Sequence, residues 1–268
     1  MRQKWGQHFL RKKEAAARIV SFLSISPSDR VLEVGPGKGM LTEHLIPAKE
    51  VLAVEIDGSL ADSLRERFGR FQGFSAVNGD ILEMKEELGR LTGNKKEWKI
   101  TGNLPYYLTS KFLSFMAGLD FFRLAVLMLQ KEAAGKLLAV PGSGKYVVST
   151  VDLRNFFRIE KMMDLKKGEF TPPPEVDSSV LRFERIRPAL SEKDRRGWIF
   201  LLRRIFSRKR KKLSVSLRGL FCGAEEMLLS SGISPSARPE EILPERYWDF
   251  FQNNKAGVLA ALSGEELP

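Results

Sequence analysis

Short apolar runs alternate with amphipathic stretches over the first two thirds of the chain. Runs of this length and composition suit parallel strands, which are covered on both faces. The runs are Val31–Val34, Val51–Val54, Phe74–Val77, Trp98–Thr101 and Leu124–Met128. The stretches between them carry apolar residues at helical spacing, as in Met40–Ile46, Ser59–Phe68 and Lys111–Leu119. The alternation predicts the α/β class, with a doubly wound sheet whose site lies at the carboxyl ends of the strands.

The last third of the chain has a different pattern. Two apolar runs, Phe156–Met163 and Val180–Ile186, flank a polar, proline-rich segment, and we expect them to pair as antiparallel strands at a sheet edge. From about Pro188 onward the pattern is helical and highly charged. The predicted helices are 191–206, 211–220, 224–229 and 245–251. We therefore predict two domains, residues 1–187 and a small α-helical domain at residues 188–268.

Composition narrows the classes of partner and of chemistry. The net charge of +11 indicates a polyanionic partner, with nucleic acid favoured over an anionic membrane surface. No apolar run is long enough to span a bilayer and the N-terminus lacks an apolar signal core, so we expect a cytoplasmic protein with no membrane contact. Cys222 is the single cysteine, which excludes an intramolecular disulfide, and we expect it to be buried. Only two histidines are present, so we expect no metal site.

The basic residues are concentrated in one part of the predicted helical domain. Five consecutive cations repel one another, so an anionic partner is favoured over a merely solvated charged face. On a helix or helix pair, the interleaved apolar residues would face the core and the cations would bind phosphates. The predicted RNA-binding residues are Arg203, Arg204, Arg208, Lys209, Arg210, Lys211 and Lys212.

A glycine-rich turn follows the first predicted strand, in the sequence Glu33-Val34-Gly35-Pro36-Gly37-Lys38-Gly39. Glycines let the backbone turn tightly and approach a ligand closely. The dinucleotide fingerprint requires a glycine where Met40 stands, one residue after the third glycine here. The spacing instead suits S-adenosylmethionine, which has no pyrophosphate to bind. A simple tight turn is the alternative interpretation of Gly35 and Gly37.

Acidic residues follow the next two predicted strands. Glu55 ends the second strand, where a carboxylate can accept hydrogen bonds from both ribose hydroxyls. Asp80 ends the third, where its carboxylate can accept one from the cofactor's adenine amine. A helix-capping acid and a loop aspartate are the alternatives. Together with the glycine turn, the two acids at successive strand ends favour a methyltransferase.

The tetrapeptide Asn103-Leu104-Pro105-Tyr106 follows the fourth predicted strand. The Asn103 side-chain oxygen and a main-chain carbonyl at Leu104 or Pro105 could accept the two hydrogens of an adenine N6 amine, and Tyr106 could stack on the base. A proline-containing turn at a strand end is the alternative.

These motifs, taken in order, resemble the KsgA family of ribosomal RNA adenine dimethyltransferases. The similar segments are 6–10, 33–39, 54–57, 79–80, 103–106 and 170–178. The resemblance implies a Rossmann-like class I methyltransferase domain with a C-terminal helical domain for RNA or ribosome binding. It also implies that S-adenosyl-L-methionine is the cofactor, and that two adjacent adenines near the 3′ end of small-subunit rRNA are dimethylated, within an immature small ribosomal subunit.

The resemblance also assigns roles to individual residues. His8 stands where the family usually has asparagine, and it lies with Leu10 near the cofactor's methionine end. Asn103 bridges cofactor and target, and Phe170 stacks on the target base opposite Tyr106. A buried core side chain is the alternative for Phe170. The cofactor-binding set is thus His8, Leu10, Gly35, Gly37, Glu55, Asp80 and Asn103, and the catalytic set is Asn103, Leu104, Pro105, Tyr106 and Phe170.

Two other functions stay open at this point. A related macrolide-resistance methyltransferase acts on one large-subunit adenine and usually has isoleucine where Leu104 stands. A ribosome-assembly or other RNA-binding factor would use the same fold with secondary or absent catalysis. We expect a monomer, because an enzyme of this kind must dock on a particle much larger than itself.

Overall fold

The computed structural model describes residues 7–93 and 97–264, with alternating strands and helices through Leu137 and mainly helices after Ile186. The strands are β1 Phe9–Leu10, β2 Arg30–Val34, β3 Glu50–Glu55, β4 Phe74–Asn78, β5 Trp98–Asn103, β6 Phe122–Gln130, β7 Phe157–Leu165, β8 Phe170–Thr171 and β9 Ser178–Arg185. The helices are α1 Lys13–Ser21, α2 Thr42–Leu45, α3 Gly58–Phe68, α4 Lys85–Thr92, α5 Tyr106–Ala117, α6 Lys131–Leu137, α7 Val148–Phe156, α8 Glu192–Phe206, α9 Leu213–Leu217, α10 Ala224–Ser230, α11 Pro244–Asn253 and α12 Lys255–Ser263. Short 3-10 helices occur at Lys167–Glu169 and Pro239–Glu241.

Seven strands form one sheet in the order β4-β3-β2-β5-β6-β9-β7. The pairs β2–β3, β3–β4, β2–β5 and β5–β6 are parallel, which confirms the doubly wound α/β prediction and all five predicted parallel strands. The chain leaves β2 and moves outward to β3 and β4, then returns to β5 on the other side of β2. The carboxyl ends of β2 and β5 are therefore neighbours, at the place where ligands bind in open sheets of this kind.

One edge of the sheet departs from the parallel pattern. Strand β9 pairs antiparallel with β6, and β7 is its hydrogen-bonded neighbour at the edge. The two later apolar runs are therefore adjacent strands, as predicted. A second, two-stranded sheet joins β1 to β8, with Phe9 opposite Thr171 and Leu10 opposite Phe170.

Local sequence explains how the helices are anchored on the sheet. In α3, the Asp57 carboxylate caps the amino end by accepting hydrogen bonds from the amides of Ser59 and Leu60. The helix then buries one stripe, Ala61, Leu64 and Phe68, at helical spacing.

Contacts divide the described residues into two compact units. The first takes in the residues up to Ala134 together with Arg158–Arg185, and the second takes in Gly135–Phe157 together with the residues from Ile186 onward. The sequence-based division at Arg187 differs from this one, because it assigned 135–157 to the first domain.

The physical reason is the packing of α7 against the later helices. Asp152 of α7 forms an ion pair with Arg195 and accepts a hydrogen bond of 2.9 Å from Trp198 Nε1. The Asn155 amide donates to the Pro244 carbonyl at 2.9 Å. These contacts are too distant in sequence for a pattern along the chain to predict them.

Two local predictions in the second unit were wrong. Cys222 is exposed, because it lies in the turn between α9 and α10, where the neighbouring Phe221 takes the buried position. The predicted helix 211–220 is only the short α9, and the run Arg208–Lys212 forms the turn before it, with no place on a helix. None of the helices that the structure describes is both long and apolar enough to cross a membrane.

Candidate active site

A cleft opens in the first unit at the carboxyl ends of β2, β3, β4 and β5. Its empty space, including the part open to solvent, is about 1140 Å³. The predicted cofactor-binding and catalytic residues line it, with the exception of Tyr106, whose side chain lies outside the described residues. The lining includes His8, Leu10, Gly35, Gly37, Glu55, Asp80, Asn103, Leu104, Pro105 and Phe170.

The glycine turn has the tight backbone that its sequence predicts. Gly35, Gly37 and Gly39 have φ of +65°, +57° and +76°, in the left-handed region that favours glycine. A Cβ on Gly37 would lie 2.8 Å from the Phe9 ring. The turn thus needs glycine at position 37 for its backbone conformation and also for the close approach of β1.

Glu55 is buried and held by two backbone amides. Its Oε2 accepts a hydrogen bond from the Gly37 amide at 2.9 Å, and its Oε1 accepts one from the Asp57 amide at 3.0 Å. Burial raises the pKa of Glu55, and these amide hydrogen bonds act in the opposite direction. Since a carboxylate has about four acceptor positions, each oxygen retains capacity for a hydroxyl donor.

Asp80 and Tyr107 both line the cleft. Asp80 is half-buried, and its Oδ1 accepts a hydrogen bond from the Leu82 amide at 2.9 Å. Tyr107 is 53% exposed and lines the cleft, although it was absent from the predicted site. Burial raises the pKa of Tyr107, and the charges of Asp80 and Glu55 add to the effect. Its position next to Tyr106 was the only signal in the sequence.

Asn103 connects the tetrapeptide to the N-terminal strand. Its Nδ2 donates to the His8 carbonyl at 2.7 Å, so its side-chain oxygen is left as an acceptor. The Pro105 carbonyl already accepts the Leu108 amide at 3.0 Å. The Leu104 carbonyl accepts no hydrogen bond within residues 7–93 and 97–264. Of the two carbonyls considered for the amine, Leu104 is therefore the one with both lone pairs free for a donor.

The segment Gln7–Leu10 closes one side of the cleft. Its strand β1 pairs with β8, the His8 Nδ1 donates to the Pro172 carbonyl at 2.8 Å, and the Lys38 ammonium lies 5.0 Å from the centre of the Phe9 ring. Leu10 is buried at 5% exposure. The segment thus contacts both the glycine turn and the strand that carries Phe170.

Phe170 is a core residue as well as a lining residue. Its side chain is 2% exposed and belongs to the cluster that includes Leu10 and Val180. Stacking on a target base would require the ring to become more accessible than it is here, so that role stays a prediction.

Glu33 is a lining residue that the sequence-based site omitted. Its Oε2 accepts a hydrogen bond from the Thr42 hydroxyl at 2.7 Å, and its Oε1 is buried with no partner within the described residues. Burial raises the pKa of Glu33 to about 8; the Thr42 hydroxyl opposes the rise and the Glu55 charge increases it. The sequence offered one indication that Glu33 belongs to the site, which is its position as the first residue of the glycine-turn motif.

The predicted RNA-binding residues lie in the second unit. Arg203 and Arg204 are in the last turn of α8, and the other cations form the turn between α8 and α9, which we call the basic turn (Arg208–Lys212). All except Arg204 and Lys209 are exposed. Of the apolar residues predicted to face the core around these cations, Leu202, Ile205 and Leu213 are buried, whereas Ile199 and Phe206 are half-buried.

Comparison with known proteins gives consistent matches over nearly the whole chain. A family model described as ribosomal RNA adenine dimethylase matches residues 1–255. A ribosomal RNA small subunit methyltransferase A from Geobacter metallireducens is 37% identical over 250 residues, which are 90% of each chain. The protein of the same name from Caldanaerobacter subterraneus is 34% identical over 92% of this chain and 94% of its own.

Solved structures share the fold. A dimethyladenosine transferase from Plasmodium falciparum has a TM-score of 0.79 at 24% identity, covering 93% of this chain and 98% of its own. The 23S rRNA methyltransferase ErmE has a TM-score of 0.66 at 26% identity, covering 91% and 98%.

Proposed function

Because this chain belongs to the ribosomal RNA adenine dimethylase family, we propose that it transfers methyl groups from S-adenosylmethionine to N6 of two adjacent adenines near the 3′ end of small-subunit rRNA. The product is N6,N6-dimethyladenosine. One observation carries the proposal: the glycine turn, Glu55, Asp80 and Asn103 converge on one cleft. The identities of 37% and 34% to proteins named as small-subunit rRNA methyltransferases support the choice of RNA.

The lining residues fit S-adenosylmethionine. Glu55 is buried, yet each of its oxygens retains acceptor capacity for a ribose hydroxyl. Asp80 uses Oδ1 for the Leu82 amide, and we assign Oδ2 to the adenine amine. Gly35 presents backbone without a side chain, which allows a ligand to approach closely, and Gly37 keeps the turn in the required left-handed conformation.

The residues of the tetrapeptide hold the target amine. When bound, S-adenosylmethionine supplies an electrophilic methyl group on a positively charged sulfur. The Asn103 side-chain oxygen and the Leu104 carbonyl each accept one hydrogen bond from the N6 amine. These two bonds favour a more tetrahedral nitrogen, whose lone pair is less delocalised into the purine ring. Holding the nucleophile in line lowers the entropic part of the barrier. The methyl–sulfur bond breaks as the methyl–nitrogen bond forms, and no side chain has to act as a strong base, because the methylated nitrogen is acidic and loses its proton to solvent.

The second methylation constrains the same two acceptors. A singly methylated amine has one hydrogen left, so it can donate to only one of the two acceptors, the Asn103 side-chain oxygen or the Leu104 carbonyl. We propose that the fixed acceptor is Asn103, because its orientation is maintained by the His8 carbonyl at 2.7 Å.

The second unit supplies the RNA contact in this proposal. Residues 188–268 carry the exposed cations of the basic turn, and a phosphate backbone is the partner that such a cluster fits. We propose that the protein acts in the cytoplasm as a monomer on an immature small ribosomal subunit, late in assembly.

Comparing substrates tests the proposal. Purified protein with methyl-labelled S-adenosylmethionine would be given naked small-subunit rRNA, immature small subunits and large-subunit rRNA, and the nucleosides would be identified by mass spectrometry. We expect dimethyladenosine in small-subunit RNA. Methylation confined to large-subunit RNA would instead favour the function of ErmE, to which the chain is 26% identical. Binding without methylation would favour an assembly factor.

The role of Asn103 has its own test. We expect Asn103→Ala to lose methyl transfer while RNA binding stays nearly unchanged, because the substitution removes an acceptor and leaves the second unit intact. The matched control is Asn253→Ala, an exposed asparagine on α11. Transfer at the wild-type rate by Asn103→Ala would remove Asn103 from its proposed role.

A further inference from the structure

The loop 140–146 joins α6 to α7 in the second unit, and it is anchored on both sides of its tip. The Gly142 amide donates to the Glu240 carbonyl at 2.6 Å. Tyr146 is fully buried, and its hydroxyl donates to the Ile242 carbonyl at 2.8 Å. The tip between these anchors is exposed at Gly144 and Lys145. The loop is thus a fixed structure with an accessible tip.

Gly144 at the tip has no packing or conformational reason to be glycine. A Cβ there would meet no atom within 4 Å, and its φ lies outside the left-handed region, whereas Gly142 has φ +83°. The Gly144 amide has no hydrogen-bond partner among the residues that the structure describes. Because Gly144 is exposed and has no side chain, an anion can approach its N–H closely.

Two lysines adjoin Gly144, Lys209 in space and Lys145 in sequence. The Lys209 ammonium of the basic turn donates to the Gly144 carbonyl at 3.1 Å, which brings the turn to the loop. Lys145 follows Gly144 directly and is exposed. Neither lysine has a carboxylate partner in the described part of the chain, so both charges are available to an anion.

We propose that the Gly144 amide, Lys145 and Lys209 form a binding site for one backbone phosphate of the RNA. The site extends the contact surface of the basic turn to the loop before α7. The adjacent Arg208 and Arg210 are exposed and can bind neighbouring phosphates of the same strand. An RNA backbone therefore fits this surface better than an isolated anion does. This inference rests on the proposed function, since it assumes that the second unit binds RNA.

RNA binding at several salt concentrations tests the site. For Lys145→Ala we expect the Kd for a small-subunit rRNA fragment to rise about threefold to tenfold, and the slope of log K against log salt to fall by about one contact. For Gly144→Val we expect a similar loss without any change in charge, since the side chain would cover the amide. Binding of S-adenosylhomocysteine, measured by calorimetry, should stay unchanged in both variants.

The control is Lys193→Ala, an exposed lysine in the first turn of α8. If both loop variants bind RNA as tightly as this control, the proposed phosphate site is overturned. The double variant Arg208→Ala/Arg210→Ala distinguishes a failure of the loop site from a failure of the proposed RNA binding by the second unit. Weakened binding by the double variant alone would reject only the loop site, whereas normal binding by it would reject RNA recognition by the basic turn. Thermal unfolding checks that Gly144→Val is folded.

Discussion

Replacing Glu33 with glutamine should change how the stability of the protein depends on pH. The buried carboxyl has one oxygen bonded to Thr42 and one with no partner in the described chain, beside the charge of Glu55. Burial raises its pKa from 4.5 to about 8, so the folded protein holds Glu33 protonated at neutral pH. Glutamine has the same shape, keeps an acceptor for Thr42 and never ionises.

The sign and the magnitude follow from proton linkage. In the unfolded chain Glu33 ionises above 4.5, while in the folded protein it stays neutral up to about 8. The stability that the neutral group contributes is therefore fully present below 4.5 and is lost as the pH rises towards about 8. Each pH unit between those limits corresponds to a loss of about 1.36 kcal/mol in unfolding free energy. Relaxation of the protein around the charged group makes the actual loss smaller. We expect a loss of up to about 3 kcal/mol between about pH 5 and about pH 8.

Urea unfolding of wild type and Glu33→Gln across this range measures the effect. Other groups titrate too, so the informative quantity is the difference in unfolding free energy between the two proteins at each pH. It should move in favour of Glu33→Gln as the pH rises. The control Glu86→Gln, at an exposed position of α4, should show no such trend. A difference between Glu33→Gln and wild type that is constant with pH would refute the reasoning.

The cofactor provides a second measurement of the same group. S-adenosylmethionine carries a positive sulfur, which favours the ionised form of Glu33 in the cleft wall, whereas S-adenosylhomocysteine carries none. Calorimetry in buffers of different ionisation enthalpy should show more proton release for the first ligand than for the second. Equal release for both ligands, or the same difference in Glu33→Gln, would contradict the assignment.

Two further predictions concern positions where the structure has little tolerance. Gly37→Ala should lower the unfolding free energy by about 1–2 kcal/mol or more, because a side chain at φ +57° is strained and its Cβ would lie 2.8 Å from Phe9. Its affinity for S-adenosylhomocysteine should fall too, and Gly144→Ala, which has open space, serves as control. Asp29→Asn should cost about 3–5 kcal/mol in urea unfolding, because it leaves the Lys99 ammonium, at 2% exposure, without the carboxylate 2.7 Å away. A loss below that of an exposed Asp62→Asn control would show that the pair contributes nothing.

Short-range sequence patterns were sufficient to predict the parallel strands and the glycine turn. Runs such as Val31–Val34 were sufficient for the strands of the parallel sheet, because a buried strand needs both faces apolar. The glycine turn was predictable because the left-handed backbone at Gly35 and Gly37 requires glycine whatever surrounds it.

Contacts between distant parts of the chain were not predictable in the same way. The segment 135–157 joins the second unit through Asp152, whose partner Arg195 is 43 residues away. The burial of Phe170 depends on its pairing with β1, and the two strands lie near opposite ends of the first unit in sequence. A motif identified Phe170 as important, but it could not decide between a stacking ring and a core ring.

The contact between His8 and Asn103 shows why a histidine side chain at position 8 is compatible with the role proposed for Asn103. The resemblance implies asparagine at position 8. Replacing that asparagine by His8 would affect Asn103 if the side chain of residue 8 held it. The group that Asn103 contacts is the main-chain carbonyl of residue 8, at 2.7 Å, whereas the His8 ring bonds to Pro172. A carbonyl is present whatever the side chain, so the Asn103 oxygen keeps its orientation while the ring fixes β1 to the chain that follows β8. His8→Asn should therefore retain methyl transfer, measured with small-subunit RNA, and His8→Pro, which distorts the backbone before Phe9, should lose it.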